Sequence, residues 1–148
     1  LLRSIAADLR SGGASEPAEQ LGDIVHAFGL VSVQIDVDGS LPDDAHVAAA
    51  FLQIIREAST NATKHAQAHQ VQVRLWQEVS DGGAIAHMTV SNDGAPAPVS
   101  YREGTGIPGM RHVAQNLGGS LEVHAAPPFT LAVSIPLNSN ATVQRRSS

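Results

Sequence analysis

The sequence predicts an α/β protein, a two-layer sandwich in which helices cover one face of a mixed, mainly antiparallel sheet of about five strands. Three observations predict it. Apolar residues switch along the chain between the 3.6-residue period of a helix and the 2-residue period of a strand. The segments follow the order helix, strand, long helix, hairpin, loop, short helix, hairpin. Each helical segment also carries a single apolar stripe, which must be buried against a second layer.

Residues 1–16 are expected to be the end of a preceding helical segment and its linker, because Leu1 to Leu9 look helical and a Gly/Ser stretch follows. From Pro17, Leu21, Ile24, Val25 and Phe28 recur on one helix face, and Gly29 stops the run. Val31, Val33, Ile35 and Val37 alternate with polar residues, a half-buried strand closed by Asp38-Gly39. A long helix is expected from Pro42-Asp43-Asp44, where acidic groups suit the positive end of the dipole, to about Ala66 along an Ala-rich stretch. Val71, Val73, Leu75 and Val79 predict a second strand and Ala86, Met88 and Val90 a third. Ser80-Asp81-Gly82-Gly83 between them supplies turn chemistry for an antiparallel hairpin.

Residues 92–106 show no period and read as a loop. A short helix starts near Ile107, buries Met110, Val113, Ala114 and Leu117, and ends at Gly118-Gly119. Leu121 to Ala125 and Phe129 to Ile135 give the last two strands. Residues 17–137 are thus expected to form one domain, and residues 138–148 a polar, disordered tail.

Composition removes several functions. The 148-residue chain has no cysteine, which excludes disulfides, Cys-ligated zinc and a thiol nucleophile. Its formal charge of −5, with no basic cluster beyond Arg145-Arg146, argues against nucleic acid as a partner. No apolar run approaches the roughly 20 residues of a membrane span, so no membrane contact by this domain is expected.

On the long helix, Glu57, Asn61, Lys64 and His65 fall within an arc of about 100°, adjoining the stripe of Phe51, Ile55, Ala58 and Ala62. Asn61 is expected to border that buried stripe without belonging to it. Geometry alone leaves two readings, ordinary edge polars or a site looking along the sheet into a cleft. The chemistry favours the site, since a carboxylate, an amide, a cation and an imidazole on one face can hold hydrated Mg²⁺ and the phosphates it bridges. Lys64 is the only lysine in the chain. Thr63 before it rules out a P-loop, and its place on a helix rules out a protein-kinase strand lysine. Gly104-Thr105-Gly106-Ile107-Pro108-Gly109 runs into the short helix, so free N–H groups and a helix N-terminus address one volume, an anion site. Such a loop also serves plain turns, as does Ser91-Asn92-Asp93-Gly94.

Taken together, four segments resemble a known family. They are Arg56-Glu57-Ala58 with Asn61-Ala62 and Lys64-His65-Ala66; Val90-Ser91-Asn92-Asp93-Gly94; Gly104, Gly106-Ile107 and Gly109-Met110-Arg111; and Leu117-Gly118-Gly119-Ser120-Leu121. Over residues 20–137 they look like the N box and glycine boxes of sensor histidine-kinase ATP-binding domains, in the branch partnered by LuxR-like response regulators. The resemblance implies the Bergerat sandwich, shared with gyrase-type ATPases, and ATP with Mg²⁺ as cofactors. It places Asn61 on the Mg²⁺, Glu57 in the metal and water shell as a catalytic group, and Lys64 and His65 toward the phosphates. Gly104, Thr105, Gly106, Ile107, Gly109 and Met110 would close over the nucleotide, with residues 95–106 as a short lid. Asn92, Asp93 and Gly94 would line the base. Two departures stand out: Asn92 replaces the family's adenine-reading aspartate, with Pro96 at the box's last glycine, and Pro128-Phe129 replaces its Gly-Thr.

In this branch the acceptor histidine precedes an acidic residue within a helical hairpin. His26, His46, His65, His69, His87, His112 and His124 all lack such a successor, so the dimerisation hairpin that accepts phosphate is expected outside this chain. A cytoplasmic setting follows, either free or as the inner part of a membrane-bound sensor. The pair His65 and His69 has zinc spacing but no third ligand. The alternative on the same fold is an anti-sigma-factor-like serine kinase or a nucleotide-dead interaction module.

Overall fold

The computed structural model describes residues 16–94, 106–126 and 128–137. The expectations for the first linker, for most of the lid and for the C-terminal tail fall outside those residues.

Helix α1 (Pro17–Gly29) opens with proline at its first turn, where no N–H is needed. Only Ile24 is fully buried on it, with Leu21, Val25 and Phe28 packed at the core margin. Strand β1 (Gln34–Asp38) is shorter than the alternation from Val31 predicts. The carbonyls of Phe28 and Gly29 recruit the N–H groups of Val31, Ser32 and Val33, so the helix end consumes the residues that would have begun the strand. Val31 is left 59% exposed.

Helix α2 (Ala45–Asn61) is capped by Asp44, whose Oδ1 accepts from His46 N at 2.9 Å and Val47 N at 3.2 Å. It buries Val47, Ala48, Phe51, Leu52, Ile54 and Ile55; each large side chain so buried stabilises by about 1.5–3 kcal/mol. The helical run reaches Ala66 as expected, but its last turn, Ala62–Ala66, winds as a π-helix. Strands β2 (Gln70–Ser80) and β3 (Gly83–Asn92) form the predicted hairpin. Helix α3 (Ile107–Asn116), β4 (Ser120–His124) and β5 (Phe129–Leu137) complete the domain.

The five strands order as β1-β2-β3-β5-β4, with β1 and β2 parallel and every other pair antiparallel. Register makes the core: Val73, Val90, Leu131 and Val123 form one cross-strand row, and Leu75, Met88, Val133 and Leu121 the next. The alternate residues Gln72, Arg74, Trp76 and Glu78 of β2 lie on the opposite face, which no helix of the described residues covers; Trp76 is 48% exposed there. Helices on one face is therefore the observed arrangement. Val79, expected in the buried alternation, is 77% exposed because the β2–β3 hairpin outruns β1, which ends opposite Arg74.

Candidate functional site

The core row at one end of the sheet is Val71, Asn92 and Phe129, each paired with its neighbour across β2, β3 and β5. Asn92 thus occupies an inward position and is only 8% exposed. Its Nδ2 donates to the Asp93 carbonyl, which leaves Oδ1 as its acceptor. Phe129, buried beside it, supplies an apolar wall.

Helix α2 delivers the polar stripe to the same end. The helical wheel puts Asn61 beside the buried stripe but outside it; the structure corrects this, because Asn61 is 3% exposed and lies inside the packed layer. Burial of an amide demands partners, and Asn61 has them. Glu57 is half-buried one turn earlier, and Lys64 on the π turn is exposed. His65 belongs to that turn, while its side chain lies outside the described residues.

Gly106 caps α3 in the left-handed region at φ +91°. A methyl built on it would lie 2.6 Å from Glu57 Oε2. The long helix's carboxylate and the N-terminus of the short helix therefore face one another across a gap that only glycine leaves open. Ile107 and Met110 bury their side chains in the core, so only their backbone can address a ligand. Gly109 is exposed with open space around it, and close approach does not require glycine there. Gly104 and Thr105 lie outside the described residues. Arg111 uses its guanidinium to tie α3 to β4, donating from Nε to the Leu121 carbonyl at 3.3 Å.

Asp93 stands apart from its neighbours. Its Oδ1 accepts from His69 N at 2.9 Å and Gln70 N at 3.0 Å, so it caps the start of β2. The Gln70 amide holds its carboxyl below the usual carboxylate range, desolvation opposes, and the His69 amide assists. Gly94, at φ +105°, brings its backbone against the Ala66 carbonyl, where a methyl would lie 2.4 Å from the oxygen. Sequence reasoning misses this capping role; an Asx residue directly before a positive-φ glycine is the signal that could have found it.

Among the described residues no group of three His, Cys, Asp or Glu side chains is gathered to hold a metal. A cation here would need oxygen ligands from a bound phosphate as well as Asn61, as hydrated Mg²⁺ commonly does. No helix of the described residues is long and apolar enough to cross a membrane.

A mixed, mainly antiparallel sheet under one helical layer sets the Glu57 carboxylate of the long helix against the glycine-capped start of α3. Residues 46–139 match the family described as Histidine kinase-, DNA gyrase B-, and HSP90-like ATPase, and the chain belongs to it. Membership carries ATP binding. Sensor histidine kinase MctS of Rhizobium johnstonii is 30% identical over 126 residues, covering 79% of this chain and 26% of that protein. Sensor histidine kinase DesK of Bacillus subtilis is 36% identical over 90 residues, 57% of this chain and 22% of the relative. The chain spans about a quarter of the length of these relatives. Among solved structures, the ATP binding domain of PrrB from Mycobacterium tuberculosis superposes with a TM-score of 0.61 at 18% identity, over 80% of this chain and 91% of that one, a likeness of fold.

Proposed function

We propose that this domain binds Mg²⁺-ATP between the C-terminal half of α2 and the start of α3 and serves as the catalytic domain of a sensor histidine kinase. The observation that carries this reading is the approach of Glu57 to Gly106, which joins the long helix's polar stripe to a helix N-terminus suited to phosphate. The residues fit the group. Asn61 would hold the metal through its amide oxygen, Glu57 would order the metal's water shell, and Lys64, exposed on the π turn, would face the phosphates. Mg²⁺, when bound, would supply neutralisation of the phosphate charge.

In transfer, an imidazole nitrogen on a separate helical hairpin forms the P–N bond to the γ-phosphorus, the bridging P–O bond breaks, and ADP leaves. This domain contributes positioning and electrostatics, not the nucleophile. The hairpin's dimer, a LuxR-like response regulator and a cytoplasmic setting complete the proposed system. One observation favours a second reading, a nucleotide-dead interaction module: Asn92 is uncharged and Phe129 pairs with it in the buried row.

The test is incubation with radiolabelled ATP. The isolated chain should remain unlabelled, and adding the hairpin of the parent kinase should yield acid-labile label on the hairpin, lost with Asn61→Ala. Acid-stable label on this chain would replace the histidine-kinase reading with a serine-kinase one, and absence of both nucleotide binding and label would leave the interaction module.

A further inference from the structure

The end of α2 raises a physical question. A π turn is rarer and intrinsically less favourable than α winding, and it persists where surrounding structure holds it. Here it carries Lys64 and His65. At its C-terminus, Gln67 takes the left-handed conformation, φ 53° and ψ 41°, and the N–H groups of both Gln67 and Ala68 converge on the Ala62 carbonyl. Three hydrogen bonds and one close approach from the segment after β3 then fix the link into β2. Asp93 Oδ1 takes the N–H groups of His69 and Gln70. Asp93 N donates to the Gln70 carbonyl at 3.2 Å. Gly94 runs so close to the Ala66 carbonyl, the last of the π turn, that a side chain on it would collide with the oxygen. Ala66 and Ala68 are buried and anchor the link from within.

We infer that Asp93 is a positioning residue: with Gly94 it clamps the π turn Ala62–Ala66 and so sets where Lys64 stands relative to Asn61, without itself touching nucleotide. The inference rests on the reading of Asn61 and Lys64 as metal and phosphate groups, and it gives Asp93 a different task from base recognition. The mechanism is geometric. Asn61 closes the α-helical part and is fixed by burial. Residues beyond it lie on wider winding that the clamp maintains. With the clamp released, the turn can tighten toward α winding, which rotates Lys64 about the helix axis while Asn61 stays put. Asp93's own backbone leads directly from Asn92, so one loop holds both the base-facing position and the turn that bears the lysine.

The discriminating measurement is the ratio of Mg²⁺-ATP affinity to adenosine affinity, read by competition against a fluorescent ATP analogue on the full chain. Adenosine lacks the phosphates that Lys64 addresses. Asp93→Ala should weaken Mg²⁺-ATP about tenfold, a factor typical of one lost positioning interaction, and leave adenosine within about twofold. Asp93→Asn, whose Oδ1 can accept the same two N–H groups, should restore most of the ratio. Gly94→Ala should reproduce the loss through the Ala66 carbonyl with the carboxylate intact, and it carries the test if Asp93→Ala does not fold. In a Lys64→Ala background Asp93→Ala should add nothing further. Amide exchange should rise over residues 62–70 and stay unchanged over 45–58. Equal weakening of adenosine and Mg²⁺-ATP by Asp93→Ala would make Asp93 a base contact or a general stabiliser and overturn the inference. So would an unchanged ratio in Asp93→Ala and Gly94→Ala when Lys64→Ala alone weakens Mg²⁺-ATP. Indifference of Mg²⁺-ATP affinity to both Asn61→Ala and Lys64→Ala would instead overturn the site reading and the inference with it.

Discussion

Replacing Gly106 by alanine separates two costs that glycine avoids at this position. The first is conformational. At φ +91° an L side chain pays about 1–2 kcal/mol, and the stiffer unfolded chain returns up to about 1 kcal/mol less flexibility to lose, leaving a net of about 1 kcal/mol. The second is steric and local. The new methyl sits 2.6 Å from Glu57 Oε2, and ordinary contact begins at 3.4 Å, so the carboxylate must withdraw by 0.8 Å (3.4 minus 2.6). Since that oxygen ends a flexible, half-buried side chain, the displacement costs little stability but moves the group that faces α3.

Gly118→Ala provides the control, because it shares the left-handed backbone at φ +79° yet would meet only Pro136 Cγ at 3.9 Å. Both variants should lose roughly 4 °C of Tm for about 1 kcal/mol in a domain of this size. Only Gly106→Ala should weaken Mg²⁺-ATP, by about tenfold, since a displacement of this order at a binding group carries that penalty or more. Paired thermal denaturation and calorimetry check both numbers. Equal affinity losses in the two variants, or full affinity in Gly106→Ala, would refute the pairing of Glu57 with the α3 start.

Three further outcomes follow from particular residues. Ser59→Ala should stabilise the domain by about 1 kcal/mol in chemical denaturation, since the Ser59 hydroxyl is fully buried with no hydrogen-bond partner among the described residues and alanine is the better helix former; a loss of stability would show that the hydroxyl is satisfied. Asp93 has its folded pKa lowered, so its contribution is complete above the unfolded value of about 3.9 and is lost as pH falls through the folded one; Asp93→Asn should therefore flatten the acid limb of stability below about pH 4, and an identical limb in the variant would contradict the cap. Asn92→Asp should tighten adenine nucleotides, because an ionised acceptor makes hydrogen bonds roughly twice as strong as a neutral one, whereas weaker ATP binding measured calorimetrically would remove Asn92 from the base contact.

Much of the fold is legible in the amino-acid sequence. Pro17 to Gly29 marks α1, Asp44 marks the cap of α2, and Gly118 marks the end of α3, each through a residue type whose backbone chemistry admits few alternatives. Pattern misleads where it meets a stronger neighbour. Val31 alternates like a strand, yet its N–H is taken by the carbonyl of Phe28. Asn61 lies at the margin of a helical wheel, yet packing of α2 on the sheet closes over it.

The sequence by itself determined the element order, the one-sided burial of each helix and the candidate site residues on α2 and at the start of α3. These depend on periodicity and turn chemistry within a few residues, which backbone geometry enforces wherever the chain goes. Tertiary structure alone decided that Glu57 meets Gly106, that Asp93 caps the start of β2, and that Gly94 lies close against the Ala66 carbonyl. Those contacts join residues distant in sequence. They follow from strand register and helix seating, each the sum of many weak contacts over the whole core, and no local window of the chain contains that sum.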